Sequence, residues 1–339
     1  MAKPDISGES LSELGEFGVI AALSAVFPSS GPGVVVGIGD DSAVLATPGG
    51  NVVAAVDFVL EGRHFRRTWS SGSDVGVKAA ARSLADIAAM GAAPSALLVA
   101  LAVPGSLPAD WLLDFATGLA AESGRAGAVV VGGDTSQADS VLVSATALGS
   151  LPSGMSPVRR GGARPGDVLA VAGPLGHAAA GLALLEAGVR DFPGLVAAHV
   201  RPSPPYDAGL EAGRLGATAM IDVSDGLVAD LGHMAAASGV AIDVRTSGLD
   251  LGEPLAGAAR AVATSAGPSI TARGASVASP SALSWVLTGG EDHSLAATFP
   301  PAVSLPRRWR VIGEARAGAG VTVDGTAYAG PAGWEHFRG

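Results

Sequence analysis

Residues 217–238, ATAMIDVSDGLVADLGHMAAAS, carry the reading that decides the fold. Ala217–Val223 is a short apolar run of strand length that ends around Asp222. Ser224, Asp225 and Gly226 follow, three residue types favoured in turns. Asp225–Ser238 then reads as a helix, and Val240–Val244 as a second strand. A strand, a turn, a helix and a strand in that order predict an α/β arrangement.

The same grammar extends in both directions. Upstream, residues 10–27 read as an amphipathic helix, with Leu11, Leu14, Phe17, Ile20, Leu23 and Phe27 near one face. Strands are predicted over Val34–Ile38, Val52–Phe58, Ala96–Val103, Ala128–Val131 and Val141–Leu148, with helices over Ser73–Met90 and Pro108–Ser123. Ser150–Pro157, rich in Pro, Gly and Ser, reads as a linker. Beyond it, strands are expected over Asp167–Ala172 and Ser294–Phe299, and helices over Ala178–Glu186 and Pro280–Leu287. Residues 252–279, rich in Ala, Gly and Ser, yield no assignment. Two domains are expected, 1–150 and 151–339, in keeping with a length of 339 residues.

Composition narrows the function. Net charge is −10, and Lys3 and Lys78 are the only lysines among 21 basic residues, so no basic run exists to track a nucleic-acid backbone. There are no cysteines, which removes disulfides, thiolate metal sites and cysteine nucleophiles together. The charge-free stretches Met90–Ala109 and Val168–Leu185 are interrupted by Pro and Gly, short of the roughly 20 continuous helical residues of a membrane span. Met1–Ser10 carries Asp5 and Glu9 where a signal peptide needs an apolar core. A soluble, cytoplasmic chain with no membrane partner is the expectation.

The placement of aspartates is the chemical signal. Asp40 and Asp41, Asp57, Asp134, and Asp222 with Asp225 all fall where an apolar run stops, and Asp86 sits inside a largely apolar predicted helix. Ligands gather at the carboxyl ends of strands in open α/β sheets. Taken singly, each aspartate is equally well a turn former or helix cap. Taken together, carboxylates with few cations beside them suit hard divalent ions such as Mg²⁺, which bridge carboxylates to phosphates. Gly37-Ile38-Gly39 and Gly132-Gly133 would let backbone N–H groups approach phosphate oxygens. Neither the dinucleotide fingerprint nor the Walker A pattern is present, so any nucleotide is held without a P-loop. With lysine so scarce, arginine must help neutralise phosphate, and Arg159 and Arg160 are the candidates. The six histidines show no metal-ligand pair at helical spacing, and no covalent catalyst is evident.

Ten segments, in order along nearly the whole chain, then establish a resemblance: GEFGVI (15–20), GIGDDSAV (37–44), VDFVLEGRHF (56–65), KAAARSLADIAAMGA (78–92), GGDTS (132–136), RRGGARPGD (159–167), RPSPP (201–205), IDVSDGLVADLGH (221–233), TGGEDHSL (288–295) and GWEHF (333–337). The set resembles the thiamine-monophosphate kinase family, within the superfamily of aminoimidazole ribonucleotide synthetase and selenophosphate synthetase. The resemblance implies a two-domain fold of the aminoimidazole-ribonucleotide-synthetase type, whose N-terminal sheet pairs across a homodimer and whose C-terminal mixed sheet carries helices. It implies several Mg²⁺ ions at Asp41, Asp57, Asp86, Asp134, Asp222 and Asp225, with Asp57, Asp134 and Asp222 closest to the chemistry. ATP is implied at Gly133, Asp134, Arg160 and Ser224, and thiamine monophosphate at His64, Glu291 and Trp334. Two departures stand out: Ala55-Val56 replaces the family's hydroxyl residues, and His293 replaces the tyrosine of its GGEDY segment.

The expected reaction is in-line attack of a thiamine monophosphate oxygen on the γ-phosphorus of ATP. A phosphate monoester is largely dianionic at neutral pH and needs no general base, so positioning and charge neutralisation would carry catalysis. The rival expectations are a superfamily relative with another acceptor, such as aminoimidazole ribonucleotide synthetase, and a divalent-cation or nucleotide-binding protein without turnover.

Overall fold

The computed structural model describes residues 34–36, 40–41, 43–47, 50–265, 281–330 and 332–334. The expected helix over residues 10–27 and the glycines Gly37 and Gly39 lie outside the described residues.

The first half of the chain builds a six-stranded mixed sheet. Its strands are β1 (Val34–Val36), β2 (Ala43–Thr47), β3 (Gly50–Leu60), β4 (Ala93–Val103), β5 (Val129–Gln137) and β6 (Leu142–Ser150), in the order β1-β2-β3-β6-β4-β5. Neighbours are antiparallel except β4 and β5, which run parallel. Parallel strands need a long crossover, and helix α2 (Ala109–Arg125) supplies it. Helix α1 (Gly72–Ala89) connects β3 to β4 and starts at a capping box, in which Ser71 and Asp74 satisfy each other's backbone N–H groups.

The two helices lie so close that only glycine fits between them. A Cβ on Gly76 would stand 2.1 Å from the Phe115 carbonyl oxygen, and one on Gly118 2.1 Å from that of Ser73. This contact holds α1 firmly over the inner face of the sheet.

The second half forms a seven-stranded mixed sheet from β7 (Val168–Ala172), β8 (Ala219–Val223), β9 (Ala241–Val244), β10 (Ser294–Phe299), β11 (Trp309–Arg316), β12 (Gly320–Val323) and β13 (Thr326–Ala327), ordered β13-β12-β9-β11-β7-β10-β8. Its helices are α3 (His177–Glu186), α4 (Pro193–Val200), α5 (Tyr206–Leu215), α6 (Leu227–Ser238), α7 (Leu255–Ser265) and α8 (Ala282–Thr288). Among the described residues, no helix is long and apolar enough to cross a membrane.

Strand alternation divides this sheet between two cores. Ala170, Ala172, Met220, Leu295, Ala297 and Phe299 join one core with α1 and the inner face of the first sheet. Leu169, Val171, Ala219, Ile221, Val223 and Ala296 face the other way, into a second core with Leu231 and Met234 of α6. Helix α1 is therefore sandwiched between the sheets and buried nearly all round, including Lys78 and Arg82.

The structure corrects several sequence expectations. Strand β3 continues to Leu60, so Asp57 lies inside it rather than at its end, paired with Ala145 of β6. Strand β5 continues through Gly132-Gly133-Asp134 to Gln137, so Asp134 is also internal, opposite Ala100. Gly133 also packs tightly against β4, where a Cβ would fall 1.8 Å from the Val99 carbonyl oxygen. The unassigned region contains α7, whose run of Ala and Gly gave no contrast between faces.

Candidate functional site

Asp222 shares its strand face with Met220, two residues earlier, and so points toward the core that contains α1. Asp86 is on α1. Asp41 stands just before β2. From these three origins the carboxylates of Asp41, Asp86 and Asp222 converge, each offering an oxygen within 4.8 Å of the others. Asp57, Asp134 and Asp225 are outside that group. Asp57 shares the inner sheet face with Val53 and Val59, and its charge acts on Asp86. Asp134 is exposed on β5, where it accepts from the Thr135 N–H at 2.9 Å.

The electrostatics of the trio are unfavourable as they stand. Burial pushes the Asp86 carboxyl well above the usual range, and the charges of Asp57, Asp222 and Asp41 push it further. Asp41 rises to about 7, again chiefly through burial, with Arg160 opposing the shift and Asp222 adding to it. Asp41 Oδ2 is buried without a hydrogen-bond partner. An oxygen-only donor set of this density fits a hard dication such as Mg²⁺, whose charge would remove the repulsion.

Arg160 pairs with Asp41 through its guanidinium, Nε lying 2.9 Å from Oδ1, while its backbone N–H donates to Asp40 at 3.1 Å. Ser224 belongs to a tight turn after β8. Its N–H, with those of Asp225 and Gly226, donates to one oxygen of buried Asp230 at 3.1–3.2 Å. The Ser224 carbonyl accepts from the Glu291 N–H at 2.7 Å, and the Asp225 carbonyl from the Trp334 N–H at 2.9 Å. Three expected site residues, Ser224, Glu291 and Trp334, are thereby tied to one turn.

Glu291 and His293 have φ of +69° and +52°, a left-handed backbone that non-glycine residues rarely adopt and that concentrates at functional sites. Glu291 enters a charged stripe on α1 formed by Lys78, Arg82 and Asp86, successive residues one helical turn apart. Lys78 Nζ donates to Glu291 Oε2 at 3.0 Å and to the His64 carbonyl at 2.9 Å. Arg82 Nη1 donates to Glu291 Oε1, and its Nη2 stands 3.7 Å from Asp57. Burial alone would raise the Glu291 carboxyl, but Arg82 and Lys78 outweigh it and hold it well below the usual range. His64 accepts the Leu60 N–H on Nδ1 at 2.9 Å.

Several partners went unassigned in the sequence. Lys78 and Arg82, two turns and one turn before Asp86 in a largely apolar helix, carry a readable signal. His293, whose Nδ1 is 3.2 Å from Asp222 Oδ2, gave none beyond its departure from the tyrosine. Asp292 takes the N–H groups of Gly176 and Ala178 at the start of α3, and burial raises its carboxyl to about 7.

Known proteins resemble this chain over nearly its whole length. Residues 39–151 match the family model described as AIR synthase related protein, N-terminal domain. Over 331 residues the chain is 44% identical to a thiamine-monophosphate kinase of Mycobacterium tuberculosis, covering 96% of this chain and 93% of that one. A thiamine-monophosphate kinase of Corynebacterium glutamicum is 38% identical, over 97% and 96% of the two chains. Among solved structures, AaThiL complexed with AMPPCP and TMP superposes with a TM-score of 0.83 at 30% identity, over 97% of this chain and 99% of that one.

Proposed function

The chain belongs to the thiamine-monophosphate kinase family, and from that premise we propose that it transfers the γ-phosphoryl group of ATP to thiamine monophosphate. The observation that carries this reading is the convergence of Asp41, Asp86 and Asp222 between the two sheets. Asp57, Asp134 and Asp225 complete the proposed set of Mg²⁺ ligands. Bound there, Mg²⁺ would supply neutralisation of phosphate charge.

The remaining roles belong to the chain itself. Gly133, Asp134, Arg160 and Ser224 receive ATP, and Asp57, Asp134 and Asp222 stand nearest the transferred group. His64, Glu291 and Trp334 receive thiamine monophosphate, with the Trp334 indole offering an aromatic face. The acceptor's dianionic phosphate attacks without a general base, so positioning carries the step. The AMPPCP and TMP of the AaThiL complex support this pairing of ligands.

Residues 1–150 act as the ATP-binding and dimerisation domain, and residues 151–339 complete the site. The outer face of the first sheet exposes Val56, Phe58, Leu98, Val129 and Val131, an apolar set suited to pairing with a second copy.

The test is incubation with ATP, Mg²⁺ and thiamine monophosphate. Thiamine diphosphate should form only when all three are present. ADP formation with a different acceptor alone, or nucleotide binding without turnover, would overturn the reading in favour of a superfamily relative or a binding protein.

A further inference from the structure

We propose that Arg82 binds the acceptor's phosphate side-on through Nε and Nη2, and so sets the preference for a phosphorylated over an unphosphorylated acceptor. The assignment rests on the kinase reading above.

The guanidinium is almost wholly enclosed, with the residue 9% exposed. Nη1 is engaged by Glu291. Nε is buried with no hydrogen-bond partner, and Nη2 stands 3.7 Å from Asp57, beyond hydrogen-bonding distance. The Nε–Nη2 edge is the side of a guanidinium that grips two oxygens of one phosphate. A buried donor left without an acceptor is rare enough in folded proteins to need an explanation, and a phosphate on this edge provides one.

Position selects which phosphate. Arg82 lies between Glu291, where the thiamine end of the acceptor is proposed, and Asp57 with Asp86, where the reacting phosphates meet. The neighbouring cations are already committed. Lys78 Nζ is held by Glu291 and the His64 carbonyl, and Arg160 presents its own Nε and Nη2 to Asp41. Of the two arginines, Arg160 has this edge occupied by Asp41, whereas Arg82 keeps its own without a hydrogen bond. Unphosphorylated thiamine would leave that edge unmet.

Binding of thiamine monophosphate and of thiamine is measured by calorimetry on the full chain with AMPPCP and Mg²⁺, for the wild type, R82Q and R82K. R82Q should weaken thiamine monophosphate about 10- to 100-fold, the scale of a lost charged hydrogen bond, while thiamine changes by less than about 2-fold. R82K, which keeps the charge but loses the fork, should fall between. Should R82Q fail to fold, R82K carries the same comparison. Equal weakening of both ligands indicates that Arg82 acts only through Glu291 and overturns the proposal, as does an unchanged preference. A wild type that forms thiamine diphosphate while the variants keep their preference sinks the Arg82 assignment alone. A wild type that forms none sinks the kinase reading with it.

Discussion

Lys78 Nζ lies 3.0 Å from Glu291 Oε2, joining the buried face of α1 to a residue 213 positions later in the chain. The lysine is 1% exposed and the glutamate sits in a left-handed backbone. This pair fixes the second sheet's loop against the helix that carries Asp86. Removing one partner of a buried ion pair typically costs about 3–5 kcal/mol, and Arg82 remains to compensate Glu291 here. K78M should therefore destabilise the chain by about 3 kcal/mol in urea unfolding. The double variant K78M/E291Q should lose more than K78M alone, because it also takes the carboxylate partner from buried Arg82.

Asp86 makes the opposite prediction. Its carboxyl is buried among like charges, so Asp86→Asn should leave the thermal midpoint of the metal-free protein unchanged or higher. Turnover should nonetheless fall by about 100-fold or more, the scale for losing a group that stabilises transition-state charge. Simultaneous loss of stability and activity would assign Asp86 to folding instead. Asp57→Asn and Asp222→Asn should likewise lower turnover strongly in a folded protein.

The raised carboxyls of Asp41 and Asp292 predict a pH dependence. Each titrates at about 7 when folded, against roughly 3.8–3.9 in an unfolded chain. The folded state binds the proton more tightly, so their contribution is fully present below about pH 4 and lost as pH rises through about 7. Without divalent cations, the thermal midpoint should fall between pH 5 and pH 7.5. Adding Mg²⁺ should raise it more at pH 8 than at pH 6, because carboxylates must ionise to bind metal. A Mg²⁺ effect that shrinks with rising pH would contradict this.

The helix contact can be tested with two glycines. G76V would drive a side chain into the Phe115 carbonyl, and overpacking of this kind costs about 1–3 kcal/mol. G124A in α2 meets nothing within 4 Å and should stabilise by about 0.5–1 kcal/mol through helix propensity. Thermal unfolding of both variants gives the comparison.

Phe58 and Val56 are 53% and 60% exposed on the outer sheet face. The proposed pairing through this face predicts that the wild type sediments as a dimer and F58E as a monomer, since burying an unpaired charge in an apolar interface is unfavourable. A dimer unaffected by this change would place the interface elsewhere.

Much of this was legible because strand and helix periodicities are simple. Met220 and Asp222 share a face by alternation alone, and Asp86 stood out as a charge in an apolar helix. By sequence alone Asp57 and Asp134 mark strand ends, because an aspartate normally marks a turn. Only tertiary context shows β3 carrying Asp57 on toward Leu60, with its side chain aimed at α1 and Arg82. Helices α4 and α5 leave little periodic signal, because Pro202, Pro204 and Pro205 between them interrupt the pattern. No spacing rule could have brought Glu291 to Lys78, since that contact depends on how two sheets pack around one helix.

The central claim is that Asp41, Asp86 and Asp222 hold a divalent cation at the reacting phosphates. A crystal of the chain grown with Mn²⁺ and AMPPCP, measured at the manganese absorption edge, tests it most directly. An anomalous peak within about 2.0–2.3 Å of oxygens from all three aspartates and in contact with the nucleotide is the predicted result. An active enzyme whose manganese lies elsewhere, with these carboxylates free of metal, would contradict it.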